Sequence, residues 1–206
     1  MPVKPPDSDL EGSWTVTLGE PTQDPWVGFM VFYPDGTRFM SCGDWSIRNW
    51  EFSIDGNHVV GTIAEHGVWS VVMDAKGEIG RGNVGSWPFL MARVSASLYR
   101  SPIEHATGQW DMWTAQDTDT SMALSITELA EADGCGKIWA AASMAYINMG
   151  LDQAIEVELE GAGHVLRTKG STRIGKVEIQ FTRDGTALCA KVGPTKYQGW
   201  RRREES

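Results

Sequence analysis

Residues 49–64 read Asn49-Trp50-Glu51-Phe52-Ser53-Ile54-Asp55-Gly56-Asn57-His58-Val59-Val60-Gly61-Thr62-Ile63-Ala64. Successive side chains of an extended chain point to opposite faces, so Trp50, Phe52 and Ile54 share one side and Glu51 and Ser53 the other. Asp55-Gly56-Asn57 is a turn, because these residue types accept the positive φ of a tight hairpin. Residues 58–64 return as the partner strand. Strand, short turn and strand again is the unit in which the rest of the chain reads.

Upstream, residues 12–18 form a first strand and residues 26–33 a second. Pro34-Asp35-Gly36-Thr37 turns the chain into residues 37–42. Downstream come residues 67–73, a turn at Ala75-Lys76-Gly77, a glycine-rich stretch 80–85 that suggests a bulged strand, and a long strand 89–100. Pro102 interrupts, and residues 108–113 open a second half. Met122, Leu124 and Ile126 alternate with polar neighbours, and Asp133-Gly134 turns the chain again. Residues 137–149 are Ala-rich enough for a helix, yet Ile138, Ala140, Ala142, Met144 and Tyr146 fit one strand face, and strand is the reading preferred. Ile155, Val157 and Leu159 alternate with Glu156 and Glu158. Val177, Ile179 and Phe181 repeat the pattern, and Asp184-Gly185-Thr186 leads into residues 187–192. Turns about every ten residues without long helical windows predict an all-β protein of a dozen or more strands. Turns this short join antiparallel neighbours, so the expectation is an antiparallel meander β-barrel.

Gly12-Ser13-Trp14 and Gly108-Gln109-Trp110 share a Gly-x-Trp pattern, and each half carries an Asp-Gly-Thr turn. This suggests two similar halves, 10–101 and 106–201. Eight strands per half would leave only about twelve residues for each strand with its turn, which is tight. One folding unit over residues 10–201 is therefore expected, with Trp-rich faces from both halves around one core. Residues 1–9, holding three of the nine prolines, read as a flexible arm, and residues 202–206 as a charged tail.

The 206 residues carry a formal net charge of -9, with 41% hydrophobic and 22% charged residues, which excludes wholesale disorder. An acidic chain without a basic run lacks the counterion-release term that nucleic acid or an anionic membrane would exploit, so neither partner is expected. No apolar run is long enough to span a bilayer, and the N-terminal residues show no apolar leader, which predicts a cytoplasmic protein. The charge leaves a homodimer open. Three cysteines (Cys42, Cys135, Cys189) without C-x-x-C spacing argue against a disulfide scaffold or a zinc site. The four histidines are scattered, so no metal is expected, and no cofactor. Gly80-Arg81-Gly82-Asn83-Val84-Gly85 spells a dinucleotide fingerprint but opens no helix, and it is set aside.

The anomaly is ten tryptophans beside nine methionines. They are either plain packing or the lining of a cavity for a flat, apolar or cationic ligand.

Gly12 and Trp14 at the start of the first strand, followed by a meander and a late Arg201 or Arg202, resemble the lipocalin and wider calycin pattern. The resemblance implies a β-barrel whose Trp plugs one end beneath a basic residue. It implies an architecture and no activity.

Within such a barrel, Glu65 and His66 form a candidate acid/base pair beside Trp69, or simply an exposed turn between strands. Asp44 is a second candidate acid, able to pair with Arg48 at a barrel mouth or to remain a structural loop contact. Trp45, Trp50, Trp69 and Trp139 are candidate walls. Arg93 lies in an apolar strand, on the face of Met91, Ser95 and Tyr99, where a charge needs a partner, water or an anionic ligand. Tyr146 and Asn148 share a face with Met144 and are candidate hydrogen-bonding groups. Glu104-His105 falls in the linker. The function expected is a cofactor-free enzyme (cyclase, isomerase or lyase) that folds a hydrophobic small molecule. Glu65, His66 and Asp44 would be catalytic, and Arg48, Trp50, Trp69, Tyr146, Trp139, Trp45 and Arg93 would bind substrate. The alternatives are a non-catalytic carrier of an apolar ligand and a carbohydrate-binding or interaction domain with exposed Trp platforms.

Overall fold

The computed structural model describes residues 9–19, 24–95, 97–114, 121–132, 136–147 and 154–202. The arm up to residue 8, the Asp133-Gly134 turn, Cys135, Asn148 and the tail from residue 203 lie outside them. The chain is all-β, and the described residues contain no helix longer than a single 3-10 turn at Pro102–His105. It divides into two compact units, Met1–Ser97 and Leu98–Ser206, each with its own sheet and core. The halves that the sequence suggests, 10–101 and 106–201, lie close to these two units.

The first unit runs β1 (Gly12–Leu18), β2 (Trp26–Phe32), β3 (Arg38–Cys42), β4 (Trp45–Arg48), β5 (Glu51–Asp55), β6 (His58–Ile63), β7 (Gly67–Met73), β8 (Ile79–Val84) and β9 (Trp87–Arg93). They form one sheet in the order β4-β3-β2-β1-β9-β8-β7-β6-β5. The two ends of that sheet, β4 and β5, are separated in sequence only by Asn49 and Trp50. Three residue steps span at most about 11 Å, so the sheet must curl until its ends nearly meet. Every pairing is antiparallel, and an even number of reversals separates β4 from β5, so the two run in the same direction. They are two lengths of one wall strand, the first paired to β3 and the second to β6. The unit is thus an eight-walled half-barrel in which one wall changes neighbour part-way.

Asn49 makes that change. It holds φ 52, a left-handed conformation that Asn tolerates better than most residues. Its side-chain Oδ1 accepts the Arg38 N–H at 3.1 Å, and its own N–H donates to the Arg38 carbonyl at 3.0 Å. The β3–β4 ladder therefore gains one further rung just as the main chain turns away.

The second unit closes fully. Its strands β10 (Gly108–Thr114), β11 (Ser121–Glu131), β12 (Ile138–Tyr146), β13 (Ile155–Ala162), β14 (Val165–Thr168), β15 (Val177–Phe181), β16 (Ala187–Val192) and β17 (Thr195–Arg201) pair in sequence order, and β17 pairs back to β10. The Ala-rich stretch is a strand, with Ala140, Ala142 and Met144 buried on the face the alternation gives. Roughly a hundred residues suffice for eight walls because many strands have only four to seven residues and several turns have two, such as Gly43-Asp44 and Gly56-Asn57.

Two local expectations change. The glycines of residues 80–85 make no bulge, since β8 keeps regular register with both neighbours. They allow close packing instead: a Cβ on Gly82 would stand 1.8 Å from the Ser70 carbonyl oxygen. A register shift occurs in β11, between Ile126 and Glu128. The strand expected over residues 89–100 is β9, which ends at Arg93, so Tyr99 does not share its face. Tyr99 belongs to the second unit, where its N–H donates to Arg183 and its ring stacks on His105 at 4.0 Å.

Each unit builds one end alike. Gly12 (φ 124) and Gly108 (φ 130) adopt backbones that suit glycine and let the chain bend in sharply. Trp14 and Trp110 follow, fully buried, with indole N–H groups donating to carbonyls four residues upstream, Leu10 at 2.9 Å and Ala106 at 3.0 Å. Arg93 lies over Trp14 at 4.3 Å and Arg201 over Trp110 at 4.9 Å. Both guanidiniums also donate to the carbonyl five residues before their Trp, at Asp9 and His105. The Arg that faces Trp14 is therefore Arg93, and not Arg201 or Arg202. Arg202 instead pairs with Asp111.

Candidate functional site

The two cores differ in kind. The second is mostly aliphatic around Trp110, Phe181 and Tyr197, whereas the first gathers Trp14, Trp50, Trp69, Phe32, Phe89 and several methionines. Five of the seven binding candidates, Trp45, Arg48, Trp50, Trp69 and Arg93, lie in the first unit.

Phe32 on β2, Trp50 before β5, Trp69 on β7 and Phe52 on β5 form a closed cycle of edge-to-face contacts. The centroid distances are 5.9 Å for Phe32–Trp50, 5.8 Å for Trp50–Trp69, 6.0 Å for Trp69–Phe52 and 5.5 Å for Phe52–Phe32. Such contacts set the positive ring edge of one residue on the negative face of the next, which fixes orientation as well as burying area. Gly61 on β6 makes room for the cycle, because a Cβ there would meet the Phe52 Cβ at 2.9 Å and the Trp69 ring at 3.2 Å. Phe89 extends the cluster from Trp69 at 6.1 Å. Arg38 covers it, with its guanidinium 5.0 Å from Phe52 and 5.8 Å from Trp50, and donates to the carbonyls of Trp50 and Gly36. Burial draws the Arg38 pKa down, partly offset by Glu51. The face of Trp50 that was a candidate for a cationic ligand is thus shared with the protein's own cation.

The indole N–H groups of Trp45, Trp50 and Trp69 are buried and have no acceptor among the described residues. Trp50 is 4% exposed and Trp69 is 0% exposed. An unpaired buried donor costs about 1–3 kcal/mol, and three weigh heavily against a domain stability of about 5–15 kcal/mol. Trp14 and Trp110 show that this fold can supply such a group with an acceptor.

Trp45 also stacks on His66 at 4.5 Å. This contact joins the start of β4 to the β6–β7 turn, on the wall where β4 has no second ladder partner. Asp44 and Glu65 flank these residues in sequence, so the three acid/base candidates Asp44, Glu65 and His66 gather in two turns bridged by one aromatic contact. All three are exposed. Glu65 holds φ 69, which is strained for a residue with a side chain. The turn reading of Glu65-His66 is therefore correct as to place. Arg48 lies over Phe39 at 4.8 Å.

The remaining candidates lie elsewhere. Arg93 is occupied by Trp14 and by the Glu11, Asp9 and Gly77 carbonyls, which makes it an end-closing residue and not a lining one. Tyr146 and Trp139 are in the second unit. Trp139 alternates with the buried Ala140 and Ala142 and so faces outward, half-buried between Ala130 and Glu160. Tyr146 hydrogen-bonds Tyr197, whose pKa is pushed up to about 12, first by burial and then by Tyr146 itself. Glu104 and His105 are exposed in the 3-10 turn. Among the described residues no group of three or more His, Cys, Asp or Glu is placed so that it could hold a metal ion. Sequence reasoning passed over Phe32, Phe52 and Arg38; the alternation of Phe52 with Trp50 was the signal for one of them.

The chain matches no family model, no curated protein and no solved structure. What it does must be argued from its own site.

Proposed function

We propose that the first barrel binds one flat, hydrophobic small molecule at the Phe32–Trp50–Trp69–Phe52 cluster. The observation that carries this reading is the trio of buried indole donors without acceptors, placed in the unit whose wall changes neighbour at Asn49. Eight-walled barrels are wide enough either to fill with side chains or to hold one small guest. The Gly-x-Trp end with its facing Arg in both units supports a lipocalin or calycin relationship, which belongs to this proposal.

Titration with 1-anilinonaphthalene-8-sulfonate tests it. The expected result is saturable binding of one probe per chain, with energy transfer from Trp, weakened by Gly61→Ala and unaffected by Tyr146→Phe. Absence of saturable binding, or loss on Tyr146→Phe alone, overturns it.

A catalytic reading has one specific support, the Trp45–His66 stack, which holds an imidazole beside Glu65 at the same wall. In that reading Glu65 or Asp44 exchanges a proton with the substrate and His66 assists, without a cofactor. It predicts turnover of a bound compound that is abolished by His66→Ala while probe binding persists. The exposed, stacked Trp26–Trp87 pair, 5.9 Å apart, supports carbohydrate recognition more weakly, since each ring covers part of the other.

A further inference from the structure

We infer that the ligand of the first barrel carries a carbonyl-type oxygen on its apolar body, and that this oxygen accepts hydrogen bonds from the indole N–H groups of Trp50 and Trp69. The inference rests on the binding reading above and adds which part of the guest is recognised.

An indole nitrogen is a donor and never an acceptor, so only an acceptor can satisfy it. Trp50 and Trp69 are adjacent, 5.8 Å centroid to centroid, within the span of one small molecule. Both are nine-tenths or more buried, and neither N–H has an acceptor among the described residues. The end-plug residues Trp14 and Trp110 are equally buried, yet each is given a backbone carbonyl at about the ideal distance. The same barrel type thus satisfies an indole that serves structure and leaves unsatisfied the two in the aromatic cycle.

The charge pattern selects among acceptors. Arg38 lies over Trp50 and Phe52 and repels a cationic guest, while favouring the negative end of a carbonyl dipole. Its Nε and one terminal nitrogen are engaged by the Trp50 and Gly36 carbonyls, so the guanidinium is already held in place by the backbone. A flat aryl ketone combines the ring faces the cycle accommodates with the acceptor its donors lack.

The test compares 2-acetylnaphthalene with 2-isopropylnaphthalene, which have nearly the same shape but differ in the acceptor, by Trp-fluorescence titration of the full chain. The ketone is expected to bind about five-fold tighter or more, although it is the more water-soluble compound. Its carbonyl stretch should move to lower wavenumber on binding. In the Trp50→Phe/Trp69→Phe variant, which keeps a phenyl ring at each position and removes both N–H groups, the preference should vanish, whatever the affinity of the hydrocarbon itself becomes. Equal affinities in the unsubstituted protein, or an unshifted carbonyl stretch, overturn the inference and leave the binding reading standing. A ketone preference that survives the double substitution overturns the assignment to these donors. If neither compound binds saturably, both readings fall. Should the double variant not fold, the stretch measured in the unsubstituted protein decides.

Discussion

Arg93 stands 4.3 Å over the Trp14 ring and directly opposite it in the β1–β9 register. The pair closes one end of the first barrel: the ring fills the space, the cation covers its face, and the guanidinium reaches back to the chain entering the barrel. A cation–π contact contributes about 0.5–2 kcal/mol, and hydrogen bonds from a charged donor about 1.5–3 kcal/mol. Arg93→Met keeps much of the length and removes both. It is expected to destabilise the first unit by about 2–4 kcal/mol in urea unfolding, and Arg201→Met should do the same to the second.

Gly61→Ala should be costly although it adds one methyl group. The new Cβ would meet the Glu51 carbonyl oxygen at 2.6 Å and the Phe52 Cβ at 2.9 Å, and neither is the free end of a flexible chain. Overpacking of this kind costs about 1–3 kcal/mol. Thermal melting should show the loss, with the near-ultraviolet circular dichroism of the aromatic cluster changing in the folded state.

Substitutions at Asn49 separate backbone conformation from hydrogen bonding. Asn49→Gly keeps the left-handed φ and loses the acceptor for Arg38 N–H, whereas Asn49→Val loses both. The expected order of melting temperature is unsubstituted protein, then Gly, then Val. An unchanged Val variant would show that the wall does not depend on this residue.

Tyr197 gives the second unit a pH dependence. Its folded-state pKa is raised from 10.0 to about 12, chiefly by burial and then by Tyr146. A group raised in the folded state contributes stability that is fully present below its unfolded value and is lost as pH rises through the folded one. The melting temperature of the second unit should therefore fall between about pH 10 and 12. Tyr197→Phe should flatten that part of the profile, and tyrosinate absorbance should show one residue ionising late.

Much of the fold was legible because alternation is a local signal. β1, β7 and β16 have the bounds their residues suggest, and the turns at Gly56 and Gly185 stand where expected. β4, β14 and β17 were not, for a physical reason. β4 and β14 have four residues each, too few to show a period, and β17 interleaves Gly199 and Gln198 with its aromatics. The Asp-Gly-Thr turns misled as a repeat: one joins β2 to β3 and the other β15 to β16, so they do not correspond. The Gly-x-Trp pair corresponds fully, down to the facing arginines. The partners of those arginines lay beyond sequence reach, since only the register puts Arg93 across from Trp14. Of the site candidates, Trp50 meets Trp69 and Trp45 meets His66. Tyr146 packs against the core of the second unit, and Trp139 lies on the outward face of its β12.

The wall that changes neighbour at Asn49 has a kinetic consequence. In the first unit every strand but two is paired on both sides, and β4 and β5 each lack a ladder on one side. Opening there is a sub-global event whose free energy lies below that of unfolding. Amide protons of β4 and β5 should therefore exchange by local breathing of one stave, at a rate left nearly unaltered by denaturant concentrations that erode overall stability.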